Sequence, residues 1–168
     1  MPDLLERNML ELWMLDPTAV YAFWEHILPE HLRSPVTLSI YNQCSELVER
    51  QGKPATFDNL MLSFDDPQMK SYLVELELSA RKKFFSDDDD ETAVVFPDKL
   101  SERWKEPEFK ELKAKLVEEI VAAFAQREAD RRHREELRKL RSDKLSEEDK
   151  TLQLLELQQK LRVSKGFN

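Results

Sequence analysis

Glycine is nearly missing from this chain, which has only Gly52 and Gly166 in 168 residues. A loop that cradles phosphate needs several closely spaced glycines, so a nucleotide-binding fingerprint of that kind is excluded. Cysteine is scarcer still. Cys44 stands alone, so no intramolecular disulfide can form, and a reducing, intracellular compartment is expected. No run approaches the ~20 apolar residues of a membrane span. The N-terminal Met-Pro-Asp-Leu-Leu-Glu-Arg has no basic segment followed by an apolar core, so no signal peptide is expected and the chain is read as cytoplasmic. Basic charge is in deficit: 26 Lys and Arg against 34 Asp and Glu leave a net charge of −8. That balance argues against direct nucleic-acid binding, which needs a basic field. The one basic cluster, Arg131-Arg132-His133-Arg134, is interleaved with acids and reads as a solvated helix face. Strand-like alternation is absent too; the nearest stretch, Ala93 to Phe96, is short and stops at Pro97.

Helix formers fill what remains, with hydrophobic residues at 40% and charged residues at 36%. The expected fold class is all-α: a small helical bundle, a long connecting helix and a C-terminal helical hairpin. Residues 1–106 form the bundle subdomain and residues 107–168 the long helix and hairpin. Asp3 to Leu15 is amphipathic through Leu4, Leu5, Met9, Leu12, Trp13 and Leu15. Asp16-Pro17 supplies an N-cap and first residue for a helix carrying Val20, Phe23, Trp24 and Ile27. After a short turn at Pro29–Leu32, Ser34-Pro35 repeats that signature and opens a helix to about Gln51, with Val36, Leu38, Ile40, Tyr41, Cys44, Leu47 and Val48 inward. Gly52 falls where a left-handed terminator belongs. Thr56 leads into a short helix with Phe57, Leu60, Met61 and Phe64. Asp65-Asp66-Pro67 opens another that turns Met69, Tyr72, Leu73, Leu76 and Ala80 inward. The acidic loop 86–91 (SDDDDE) repels itself, and it lacks the glycine of a tight calcium turn. Phe96, Leu100 and Trp104 are expected to pin the following stretch to the bundle.

From Pro107 the pattern lengthens. Phe109, Leu112, Leu116, Ile120, Ala123 and Phe124 recur at three- and four-residue steps, with Val117 widening the stripe, as on a helix docked to a core. The stripe then gives way to Gln126–Glu136, nearly all charged, with Glu128–Arg132 and Asp130–Arg134 spaced for pairing along the helix. Leu137 and Leu140 restore an apolar edge before a turn. Ser146-Glu147-Glu148-Asp149 has the form of a capping box, and Leu152, Leu154, Leu155, Leu157 and Leu161 follow on the returning helix. A helix of this length spans ~50 Å, so its far end is expected to project clear of the bundle and offer a leucine-rich tip to a partner.

Residues with catalytic potential do not assemble. His26, His31 and His133 lack the spacing of a zinc helix, and there is no second cysteine. Cys44 lies on an apolar face and reads as a buried hydrophobe. The carboxylates lie on hydrophilic faces without a distinguishable acid–base pair. Neither catalytic residues, metal ligands nor a cofactor site are therefore expected, and the chain is read as a non-enzyme.

Glu6-Arg7-x-Met9-Leu10-x-Leu12, Asp16-Pro17, Ile27-Leu28-Pro29-Glu30-His31-Leu32 before Ser34-Pro35, Ile40-Tyr41, Thr56-Phe57-Asp58-Asn59-Leu60 and Asp65-Asp66-Pro67 together form a recognisable series. The series resembles the C-terminal helicase-binding domain of bacterial DnaG-type primases, which is similar in design to the N-terminal domain of the DnaB-type helicase. Ala122-Ala123-Phe124-x-x-Arg127 and the Leu-rich returning helix resemble the primase version. The resemblance implies a protein-interaction module whose hairpin docks on the N-terminal domains of the replicative helicase and couples priming to the fork. By position, the docking residues would be Leu137, Leu140, Leu145, Leu152, Leu155 and Leu161, rimmed by Arg134, Arg138, Glu148 and Arg162. The zinc-binding and polymerising domains of a full primase are not in this sequence, so any primase activity would reside elsewhere. The alternative is a helical scaffold or adaptor that self-associates through its long helix and hairpin.

Overall fold

A computed structural model describes residues 1–85, 107–142 and 147–164. They form seven α-helices, with no strand among the described residues: α1 Leu4–Leu15, α2 Ala19–His26, α3 Pro35–Gln51, α4 Phe57–Ser63, α5 Pro67–Phe85, α6 Pro107–Ser142 and α7 Glu147–Ser164. A single 3₁₀ turn, Pro29–His31, joins α2 to α3. The all-α expectation is met. The acidic loop 86–91, the segment carrying Phe96, Leu100 and Trp104, the Ser146 capping residue and Leu145 lie outside the described residues.

Local chemistry sets most helix starts. The Asp3 carboxylate accepts from the Glu6 N–H at 3.0 Å and caps α1. Ser34 precedes Pro35 and its hydroxyl accepts from the Thr37 N–H. Thr56 and Asn59 make a reciprocal capping box, each side chain accepting from the other's N–H at 3.2 Å. The Asp66 carboxylate takes the Gln68 N–H at 2.9 Å. α3 ends at Gly52, whose φ of 69° lies in the left-handed region. At Asp16-Pro17 the structure departs from expectation. Asp16 accepts from the Thr18 N–H and hydroxyl at 3.1 and 2.6 Å, which shapes a turn, and α2 begins only at Ala19. The second oxygen of Asp16 pairs with Lys113 of α6 at 3.2 Å.

The chain separates into two compact units, Met1–Phe124 and Ala125–Asn168, dividing within α6. The first half of α6 therefore belongs with the bundle. In the first unit α1 packs chiefly on α5, with α2, α3 and α4 alongside. Trp13 is 1% exposed and meets Phe23 and Tyr41 at ring-centroid distances of 6.5 and 6.1 Å, the second edge-on. The Tyr41 hydroxyl donates to the Ile27 carbonyl at 2.9 Å. The indole N–H groups of Trp13 and Trp24 and the Tyr72 hydroxyl are buried without a hydrogen-bond partner among the described residues. Such groups cost ~1–3 kcal/mol each, which the apolar packing offsets. Ile120 and Phe124 enter this core from α6, with Phe109, Leu116, Val117 and Val121 half-buried against it.

Some inward assignments change. Leu4, Leu112 and Ala123 are exposed, whereas Leu10, Met14 and Val121 join the core. Thr37, not Leu38, is the fully buried residue of the first turn of α3, because a carboxylate waits for it.

Candidate interaction surface

Two carboxylates, Glu6 and Glu11, are buried, and both are engaged in holding helices together. Glu6 is fully buried, and its oxygens accept from the Arg33 N–H, the Ser34 N–H at 3.1 Å and the Thr37 hydroxyl at 2.8 Å. A carboxylate so placed serves the orphan donors at the start of α3 and suits the positive end of that helix. Glu11 binds the Arg7 guanidinium at 3.0 Å, the Ser79 hydroxyl at 2.7 Å and the Lys83 ammonium at 3.3 Å, bridging α1 and α5. Burial is the largest single influence on Glu11 and would push its pKa up. The hydrogen bonds from Ser79 and Arg7 and the charge of Lys83 together outweigh it and hold the carboxyl below its ordinary value. Cys44 is buried, and burial pushes its thiol up to about 12, the opposite of an activated nucleophile. A cleft of about 180 Å³ lies between α1, the end of α5 and α6, lined by Leu5, Leu12, Phe84, Leu116 and Ile120.

In the second unit the charged stretch of α6 is laced along its own surface. Arg131 pairs with Glu128 and Glu135, each at 2.6 Å, and Arg132 with Glu128 at 3.2 Å. Asp130 differs from the expected pattern: its carboxylate takes Gln126 at 3.0 Å, while Arg134 donates to the Asp130 backbone carbonyl at 3.2 Å. His133, Leu137 and Leu140 are half-buried.

α7 carries apolar residues on two opposite sides. At 100° per residue, Leu154, Leu157 and Leu161 fall together on one side, and Leu152, Leu155 and Val163 on the other. Leu157 is 7% exposed and Leu161 half-buried. Leu152, Leu155 and Val163 are 62%, 54% and 79% exposed. An open depression of about 450 Å³ lies beside Val163, lined by Glu156, Gln159, Lys160 and Ser164. Leu152 and Leu155 thus share an exposed face, rimmed by exposed Glu148 and Arg162. Leu137, Leu140 and Leu161 are half-buried, while Arg134 and Arg138 are exposed on α6. Val163 extends the exposed stripe by one residue that sequence reasoning did not single out. Its signal was available in the spacing, since it lies eleven residues beyond Leu152, three helical turns along the same side. No helix among the described residues is long and apolar enough to cross a membrane. Neither a family model, a curated protein nor a solved structure matches this chain.

Proposed function

We propose that the chain is a protein-interaction module of the primase C-terminal type, which binds a replicative DnaB-type helicase through its second unit and so couples priming to the fork. The observation that carries this reading is the two-sided α7. One side holds the buried Leu157, while Leu152, Leu155 and Val163 on the opposite side are left to solvent. Large aliphatic side chains aligned on one exposed face mark a surface that gains by being covered. Such a helix suits recognition in which spaced apolar anchors enter a groove and a charged rim fixes register. The resemblance of the bundle and hairpin to the primase domain supplies the identity of the partner, and a cytoplasmic location goes with it. The buried carboxylates and the raised Cys44 thiol are occupied with packing, so we assign the module no reaction of its own.

The test is a mobility shift of a purified replicative helicase hexamer by the purified chain. Leu152→Asp with Leu155→Asp, both at exposed positions, is expected to abolish the shift while far-UV circular dichroism keeps its helical signature. A variant that stays helical and still binds as well as the parent would overturn α7 as the docking helix. A parent chain that produces no shift would overturn helicase binding.

A further inference from the structure

The exposed face of α7 has an internal symmetry of charge. Glu148, Leu155 and Arg162 stand seven residues apart and lie on nearly one line along the helix, with Leu155 midway. Leu152 and Gln159 form the adjacent line. An acid therefore sits two turns before the central leucine and a base two turns after it. Both charged groups are exposed, and neither takes part in an ion pair among the described residues.

A face of this kind is self-complementary when reversed. We infer that two copies of the chain pair antiparallel through α7, Leu155 against Leu155 about a two-fold axis, with Glu148 of each copy opposite the partner's Arg162. The two-fold repeats every contact, so one sequence feature supplies both ion pairs. In this register Leu152 is covered by the glutamines at 158 and 159 of the other copy, and four leucines form the centre of the seam. A parallel pairing would set Glu148 against Glu148 and Arg162 against Arg162, which like-charge repulsion disfavours.

The strength follows from the area. Two leucines per copy, with a glutamine on either side, fall well short of the ~800 Å² per partner of a standard interface, so the pairing is weak and reversible. It uses the face that the proposed function gives to helicase, so a second copy and helicase would compete for Leu152 and Leu155.

Sedimentation of the full chain alone, from roughly 10 μM to 1 mM, tests the pairing in the range where a weak dimer forms. The expected result is a monomer–dimer equilibrium that weakens with added salt. Arg162→Glu is expected to weaken it about tenfold, since it removes two ion pairs and creates two repulsions. Adding Glu148→Arg to that variant should restore the parent's affinity, and Leu155→Asp should leave only monomer. Circular dichroism verifies that each variant stays helical. A chain that is monomeric throughout, or a dimer indifferent to the single charge reversal, would overturn the proposal. Helicase is absent from this experiment, so that outcome leaves helicase binding standing, and a paired chain that ignores helicase would do the reverse.

Discussion

In Met1–Phe124, side chains of one helix bind the backbone or charge of another: Glu6 of α1 receives the start of α3, Glu11 receives Ser79 and Lys83 of α5, and Asp16 receives Lys113 of α6. In Ala125–Asn168 the ion pairs of Arg131 and Arg132 with Glu128 and Glu135 join residues three or four apart on α6 itself. The first arrangement ties elements together across long sequence separations. The second supports a helix locally and contributes little to tertiary structure. Among the described residues, the largest fully buried side chains all lie in the first unit. Trp13, Phe23, Leu73 and Leu76 disappear from solvent in the first unit, while Leu152, Leu155 and Val163 stay in it in the second. The difference is one of degree, since Leu4, Leu62 and Leu78 of the first unit are exposed and Leu157 of the second is buried.

The strongest attempt to break this contrast is a pair of truncations. Phe124→Ala removes a ring that is 1% exposed and should destabilise the first unit by about 3–5 kcal/mol, read as a lower denaturant midpoint. Leu155→Ala should change folding by no more than ~0.5 kcal/mol, because that side chain is largely in water already. Equal losses would show that the exposed leucine is packed in solution.

A middle-sized effect is expected at Glu11. Replacement by Gln leaves Arg7 and Lys83 without their buried counter-charge, at a cost of about 1–3 kcal/mol near neutral pH. Its folded-state pKa lies below the ordinary 4.5, so the charge-dependent stabilisation is complete above that value and lost as pH falls through the folded one. Urea titrations between about pH 6 and pH 3 should show a steeper fall for the parent than for Glu11→Gln. Parallel curves would remove Glu11 from the ties between α1 and α5. The smallest effect belongs to Arg131→Ala. Its ion pairs are on the surface of α6, so thermal unfolding should be unchanged at moderate salt.

The bundle was legible from the sequence because its signals are short-range. Asp3, Ser34-Pro35, Gly52, Thr56 with Asn59 and Asp66-Pro67 each act within a turn of where they stand, and each stands where a helix starts or stops. Asp16-Pro17 misled by two residues because the carboxylate is shared between a local turn and Lys113, a partner far along the chain. The two-sided character of α7 could be read from its spacing, but which side faces inward could not. Either leucine row would have served as well until a neighbour was in place.

The sequence by itself determined that this chain is helical, where most helices begin and end, and that the middle of α6 is laced by its own charges, since propensity, caps and neighbouring pairs depend on residues a turn apart. Only the tertiary structure decided that Glu6, Glu11 and Thr37 are buried, that Val121 is inward and Leu112 outward, and that Leu157 is covered while Leu155 is not. Those outcomes depend on what lies opposite. A polar group can be buried only where donors converge on it, and a helix apolar on two sides has no unique inward face until another element supplies one.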